Sequence, residues 1–338
     1  MKKTLIAVAA LAATSAFAQV SLTGGLDFTY DKGVQAVADG SAAKGLYNSD
    51  AYVTFAAADD MGGGVKSMVQ FAWNSDGTRA SSYGDDKSFQ LTNGTATLAL
   101  ATTRSGGTLG ATMLAPSVHS GDHFSTANAL VMSRGELDVA SVSYVINPNL
   151  TAVYKYLEAG TGTPAYVAHV LTGKLTFGAL SSTVDYVSYI YSDAAKAGSA
   201  QVAAIAQTTG ATAATTGTFG AAAVPAMSVN ARTTKITANA IYDAGIAKFA
   251  VGYEGGAAGV NADLTTGTSA SLVTFGVSAP LGVVTAGVSF AKRDASSYAA
   301  VGVNYPLSKR TFVAASMGML TNPAGNQDSY GIRIGQTF

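Results

Sequence analysis

The stretch YGIRIGQTF, Tyr330 to Phe338, decides how this chain is read. Tyr330, Ile332, Ile334, Gln336 and Phe338 fall on one face, and Gly331, Arg333, Gly335 and Thr337 on the other. A period of two is the signature of a strand, here with one apolar, aromatic face and one small or polar face. The strand runs out to a bare terminal ring, where a soluble domain ordinarily frays into polar residues. The question it poses is what lies on each side.

Composition narrows the answer. Of 338 residues, 48% are hydrophobic and only 12% charged, about half the usual charged share. The chain nevertheless lacks the run of roughly 18 apolar residues that a membrane-spanning helix needs. Its most apolar stretch is N-terminal and has another explanation. Lys2 and Lys3 make a basic start, Leu5 to Ala13 an apolar centre, and Ala16-Phe17-Ala18 a small-x-small site. This is the pattern of a secretory signal peptide over residues 1–18, with cleavage expected between Ala18 and Gln19. Without Lys2 and Lys3 the chain carries 18 basic and 20 acidic residues, a net charge of −2. Neither that balance nor an exported location suits nucleic acid as a partner. There is no cysteine, so backbone ladders and packing must hold the exported chain together.

Alternation continues from Gln19 onward. VSLTGGLDFTY puts Val20, Leu22, Leu26, Phe28 and Tyr30 on one face and Ser21, Thr23, Asp27 and Thr29 on the other. VKSMVQFAWN sets Val65, Ser67, Val69, Phe71 and Trp73 against Lys66, Met68, Gln70 and Asn74, and KITANAIY sets Ile236, Ala238, Ala240 and Tyr242 against Lys235, Thr237, Asn239 and Ile241. Short turns fall at 59–64, 93–94, 147–149, 178–179, 243–246, 280–282 and 306–310. Between them lie connections that are mostly longer and more polar, at 31–48, 75–86, 103–132, 159–165, 193–230, 255–268, 294–296 and 321–328. The count is about 16 strands, an even number with both termini on the short-turn side, as in outer-membrane barrels. Aromatic residues also sort by end: Tyr144, Tyr242, Tyr305 and Phe338 near the short turns, Tyr30, Tyr156, Tyr191 and Tyr253 near the long loops. Two such belts are expected where a barrel crosses the two headgroup layers.

The reading is therefore all-β: a transmembrane antiparallel up-and-down barrel forming one domain over residues 19–338. A closed sheet leaves no backbone group unpaired in lipid, and about 16 strands leave an aqueous channel where about eight would be filled by their own side chains. One face of the terminal strand then meets lipid and the other water. Residues 193–230, rich in Ala, Thr and Gly, read as a long extracellular loop, or as strand extensions disguised by small residues.

At this point the sequence resembles a known family. The leader running into QVSLTGGLDFTY, the turn YPLSKRT (305–311) and the terminal YGIRIGQTF resemble the Gram-negative general-diffusion porins, of the β-proteobacterial type. The resemblance implies a homotrimer of 16-stranded barrels in the outer-membrane lipid, each passing small ions and hydrophilic solutes. The third long loop, here about 103–133, would fold inward to constrict the pore. The terminal strand would be read by the barrel-insertion machinery, through Tyr330, Ile332, Ile334 and Phe338.

A pore selects by width and by the field at its narrowest point. Asp122 is the acidic candidate on the third loop. Parity nominates Lys66 and Arg333 as lumen-facing, with Lys155, Lys235 and Asp27 beside them; Arg104 lies where the fifth strand enters the loop. In DAYVTFA the inward positions are Asp50, Tyr52 and Thr54, where the family commonly has arginines, and the third loop is almost uncharged. Both departures predict a weak transverse field. Parity leaves Asp138, His169 and Asp185 free to face either way.

Other chemistry finds little support. His119 and His123 flank Asp122 with a spacing that grips a metal on a helix, but in a Gly/Ser-rich loop they read as polar loop residues. Asp59-Asp60 and Asp85-Asp86 read as solvated turn carboxylates rather than calcium ligands. None of the three histidines accompanies a nucleophile motif, so no enzyme, metal or cofactor is expected. The alternatives are a surface-exposed all-β adhesin or binding protein, and a substrate-selective channel on the same barrel, which would need an aromatic slide or a dense charge ladder.

Overall fold

The computed structural model describes residues 19–32, 45–74, 87–104, 108–116, 136–159, 166–191, 234–256, 271–293, 295–322 and 325–338. They form sixteen strands: β1 (Gln19–Lys32), β2 (Gly45–Gly62), β3 (Val65–Asn74), β4 (Lys87–Thr92), β5 (Ala96–Arg104), β6 (Glu136–Asn147), β7 (Leu150–Ala159), β8 (Tyr166–Phe177), β9 (Leu180–Tyr191), β10 (Thr234–Asp243), β11 (Lys248–Gly256), β12 (Leu272–Leu281), β13 (Val284–Arg293), β14 (Ser296–Pro306), β15 (Thr311–Asn322) and β16 (Gly325–Thr337). Each pairs with its sequence neighbours, and β1 pairs antiparallel with β16, so the sheet is a closed up-and-down barrel. Among the described residues no helix is long and apolar enough to cross a membrane. The expected leader (1–18) and the stretch 193–230 lie outside the described residues.

Register extends the alternation of single strands to the whole barrel, because directly opposed residues share a face. On β16 the outward Tyr330, Ile332 and Ile334 are 50%, 57% and 48% exposed. Their neighbours across the seam, Tyr30, Phe28 and Met317, are exposed too. The same holds around the circumference, through Phe71, Leu100, Val142, Val184, Val251, Phe275, Val288 and Val301. So continuous an apolar exterior suits hydrocarbon rather than water. The inward rows carry many small or polar residues, among them Thr23, Thr54, Gln70, Thr97, Ser141, Thr183, Asn239, Thr274, Ser289 and Ser316, with larger apolar side chains such as Val153, Val170, Val187 and Tyr189 between them.

The seam closes at the chain's end. Phe338 donates its N–H to the Gly24 carbonyl at 2.9 Å, and Gly24 returns a bond to the Phe338 carbonyl at 3.1 Å. A side chain at residue 24 would run into the Phe338 ring.

Connections sort largely as the sequence predicts, with short turns at 63–64, 93–95, 148–149, 178–179, 244–247, 282–283 and 307–310. Two on the opposite end do not follow the long pattern: 294–295, and 323–324, which replaces the expected loop at 321–328. β15 and β16 stay in register up to Asn322 and Gly325, because the polar residues Asn326, Gln327 and Asp328 continue the ladder where composition suggests a loop. Likewise β5 persists through Arg104, paired with Glu136, so the third connection begins after residue 104 rather than at 103. Tyr191 opposes Tyr166 and falls at the register position of the Tyr189 row; its side chain lies outside the described residues.

Candidate functional site

The feature that shapes the lumen is the described part of the third connection, residues 108–116. It opens with a 3-10 turn at Thr108–Thr112 and lies on the inner wall of β10 to β14. Four inward glycines make the contact possible. A Cβ at Gly252 would stand 2.6 Å from Leu109 Cδ2; at Gly276, 2.9 Å from the Leu114 nitrogen; at Gly287, 2.8 Å from the Leu114 carbonyl oxygen; and at Gly302, 2.8 Å from the Pro116 carbonyl carbon. Real Cβ atoms essentially never approach so closely.

Side chains then fix the segment. Thr112 Oγ1 bonds the Leu109 carbonyl at 2.7 Å and Thr274 Oγ1 at 2.5 Å, and the Ala115 N–H donates to Ser289 Oγ at 2.7 Å. Leu109 and Ala115 enter an apolar cluster with Leu272, Ala291, Tyr298, Ala300 and Leu320, with Met113 at its margin. Leu109, Leu272 and Ala291 are fully buried. Inside a barrel whose inward rows are otherwise mostly polar, this cluster is a local core that holds the segment to one side.

Among the described residues two groups of paired charges stand on the wall. In the first, Arg333 Nη2 donates to Asp27 Oδ2, and the guanidinium carbon sits 5.1 Å from the centroid of the Phe312 ring. Both side chains are largely buried, 15% exposed for Arg333 and 6% for Asp27. The second group stands near the long-loop end, where Glu254 bridges Lys235 Nζ at 3.3 Å and Arg293 Nη2 at 2.9 Å. Thr237 Oγ1 adds a longer contact to Glu254 at 3.4 Å. Asp185, inward on β9, accepts from Thr172 Oγ1.

Of the residues singled out from sequence, Asp27 and Arg333 are brought together. Asp50 opposes Asp27 in register, and its side chain lies outside the described residues. Lys155 is inward on β7, opposite Ser141 and Val170. Lys66 takes the inward row but stands one residue in from the start of β3, opposite Asp60 and Thr92 at the short-turn mouth. Parity fixes a residue's face and says nothing of its height. Arg104 falls in the row of Leu98 and Leu100, the outward row of β5, and its side chain is outside the described residues, as are Asp122, His119, His123 and Asp85-Asp86. Asp60 Oδ1 accepts the Gly62 N–H at 2.9 Å and so closes its own turn.

The parities left open are now fixed. Asp138 faces outward and accepts from Thr102 Oγ1 at 2.6 Å; His169 faces outward beside Tyr154, whose hydroxyl lies 2.7 Å from its Nδ1. Sequence reasoning passed over Glu254 and Arg293, although alternation from Phe249, Val251 and Tyr253, and from Val288 and Phe290, points both inward. The glycine seat carried a weaker signal: an inward glycine means little until something is seen lying on it.

Solved structures of the same shape exist. A loop-deletion form of OmpT, an outer membrane protein of Vibrio cholerae, superposes with a TM-score of 0.64 at 11% identity over 95% of this chain and 99% of that one. The anion-selective porin from Comamonas acidovorans gives 0.61 at 16% identity, covering 95% and 100%. The fold is that of the porins. A mutant of the Rhodopseudomonas blastica porin adds a TM-score of 0.60 at 12% identity, again over 95% and 100%. At these identities the likeness is one of fold. No protein-family model matches the chain, and no curated protein matches it.

Proposed function

We propose that this porin-fold protein is a passive outer-membrane channel for ions and small hydrophilic solutes. One observation carries the reading: a closed sixteen-stranded barrel with an apolar exterior and mostly small or polar inward rows has a loop segment seated on its inner wall rather than across its mouth. An adhesin has no need of such a lumen, and a substrate-selective channel needs a ladder of unpaired charges or aromatics along it. Here the cations Lys235, Arg293 and Arg333 are bonded to the carboxylates Glu254 and Asp27. The seated segment carries no charge, so the field across the lumen is weak and ion preference small.

The remaining parts of the reading follow from resemblance. The chain is exported from a Gram-negative cytoplasm through the leader at 1–18, assembled as a homotrimer, and inserted by machinery that reads the terminal strand through Tyr330, Ile332, Ile334 and Phe338. Lys66, Lys155, Lys235, Asp27, Asp50, Arg104, Asp122 and Arg333 are the positions whose charge is to be varied when selectivity is measured. The test is conductance of the purified protein in a planar bilayer, with the reversal potential under a salt gradient. Large steps in groups of three with a small reversal potential are expected. Absence of conductance from folded, inserted protein overturns the reading in favour of a surface binding barrel.

A further inference from the structure

Resting on the channel reading, we propose that Gly252, Gly276, Gly287 and Gly302 set the pore's aperture, by fixing how deeply the 108–116 segment sinks into the wall opposite the open lumen. The segment descends as it crosses. Leu109 lies over Gly252 of β11, Thr112 and Leu114 over Gly276 of β12, Leu114 and Pro116 over Gly287 of β13, and Pro116 over Gly302 of β14. Gly287 and Gly302 oppose each other in register, so the lower end of the segment rests on two facing glycines at once. At Gly276 and Gly302 the atom in the way is backbone of the segment, which cannot swing aside as a side-chain tip does; at Gly287 the Leu114 carbonyl oxygen stands there together with the Val277 carbonyl oxygen of β12.

The wall behind is hydrogen-bonded on both sides, and beyond it lies lipid. An added side chain therefore displaces the segment in one direction only, into the lumen. The segment is also uncharged, so its depth governs width and leaves ion preference alone. This separates the glycines from the wall charges, whose replacement alters the field. Ordinary carbon contacts lie at about 3.5–4.0 Å, so a methyl group at residue 302 lifts the segment by roughly 1 Å. Such a lift takes roughly 1 Å from the width of the lumen beside the segment, and conductance falls with the open area.

The experiment compares single-channel conductance and sugar permeation of the unaltered protein with Gly302→Ala and Gly276→Ala. Gly173→Ala serves as the control, since nothing lies within 4 Å of the Cβ it adds. Conductance is expected to fall in the two seat variants, with larger sugars excluded, an unchanged reversal potential, and no change in the control. Equal conductance in all four overturns the aperture proposal and leaves the channel reading standing. No conductance from the unaltered protein overturns the channel reading itself. A second measurement covers the case in which a seat variant fails to fold. The chain has no cysteine, so in Thr112→Cys/Thr274→Cys a single disulfide can form where the two hydroxyl oxygens now lie 2.5 Å apart. Formation in folded protein treated with oxidised glutathione, which accepts the two electrons by thiol–disulfide exchange, is expected, and its absence overturns the seat.

Discussion

Replacing Asp27 by Asn tests whether the buried pair on β1 and β16 supports the barrel or merely decorates it. The change keeps the shape and removes the charge that Arg333 faces. Breaking a fully buried pair by removing one partner costs about 3–5 kcal/mol, an upper bound for a wall open to water on one side. Arg333 is 15% exposed, and it keeps its cation–π contact with Phe312, worth roughly 0.5–1 kcal/mol. The lost charge-assisted bond is worth about 1.5–3 kcal/mol, so a loss of about 2 kcal/mol is expected. Arg333→Met should cost about as much, because Asp27 is then the stranded charge. The double variant should recover part of the loss, giving a coupling of roughly 1–2 kcal/mol. The assay is urea unfolding in lipid vesicles, followed through Trp73, the one tryptophan, which stands outward and half exposed. Additive costs below about 0.5 kcal/mol would refute the argument, as would a slope change showing that the unfolded state had moved instead.

Other outcomes follow from the same geometry. Glu254→Gln strands Lys235 and Arg293 without their shared carboxylate, so the reversal potential should move toward anion preference; an unmoved potential would show that this cluster lies outside the ion path. Val301→Arg, outward on β14, should destabilise the inserted barrel by about 2–4 kcal/mol, whereas Gln70→Arg, inward on β3, should leave stability within about 0.5 kcal/mol; equal costs would mean that the faces are misassigned. Phe338→Ala keeps both backbone bonds to Gly24 but loses the ring that covers it, and should slow barrel closure in a refolding assay while leaving the conductance of folded protein alone.

The strands, their faces and the closure were legible in the sequence because a sheet in lipid imposes one rule at every residue. Side chains alternate between two solvents, and the period of two shows in YGIRIGQTF as plainly as in VKSMVQFAWN. The same rule points Asp27, Lys155, Lys235 and Arg333 inward. It stops at height: Lys66 takes the right face and stands at the short-turn mouth. It stops also at element ends, where Asn326, Gln327 and Asp328 are polar enough to read as loop and are held in the ladder by β15. Which inward charges meet was settled by the closed sheet, since Asp27 and Arg333 are far apart in the chain and meet diagonally across β1 and β16, and Glu254 reaches one cation on β10 and the other on β13, two strands away. The seat of the 108–116 segment was settled last of all. Four glycines on four strands become one surface only when the barrel has closed and a loop returns to lie on them; close packing between distant segments leaves no local period for a sequence to display.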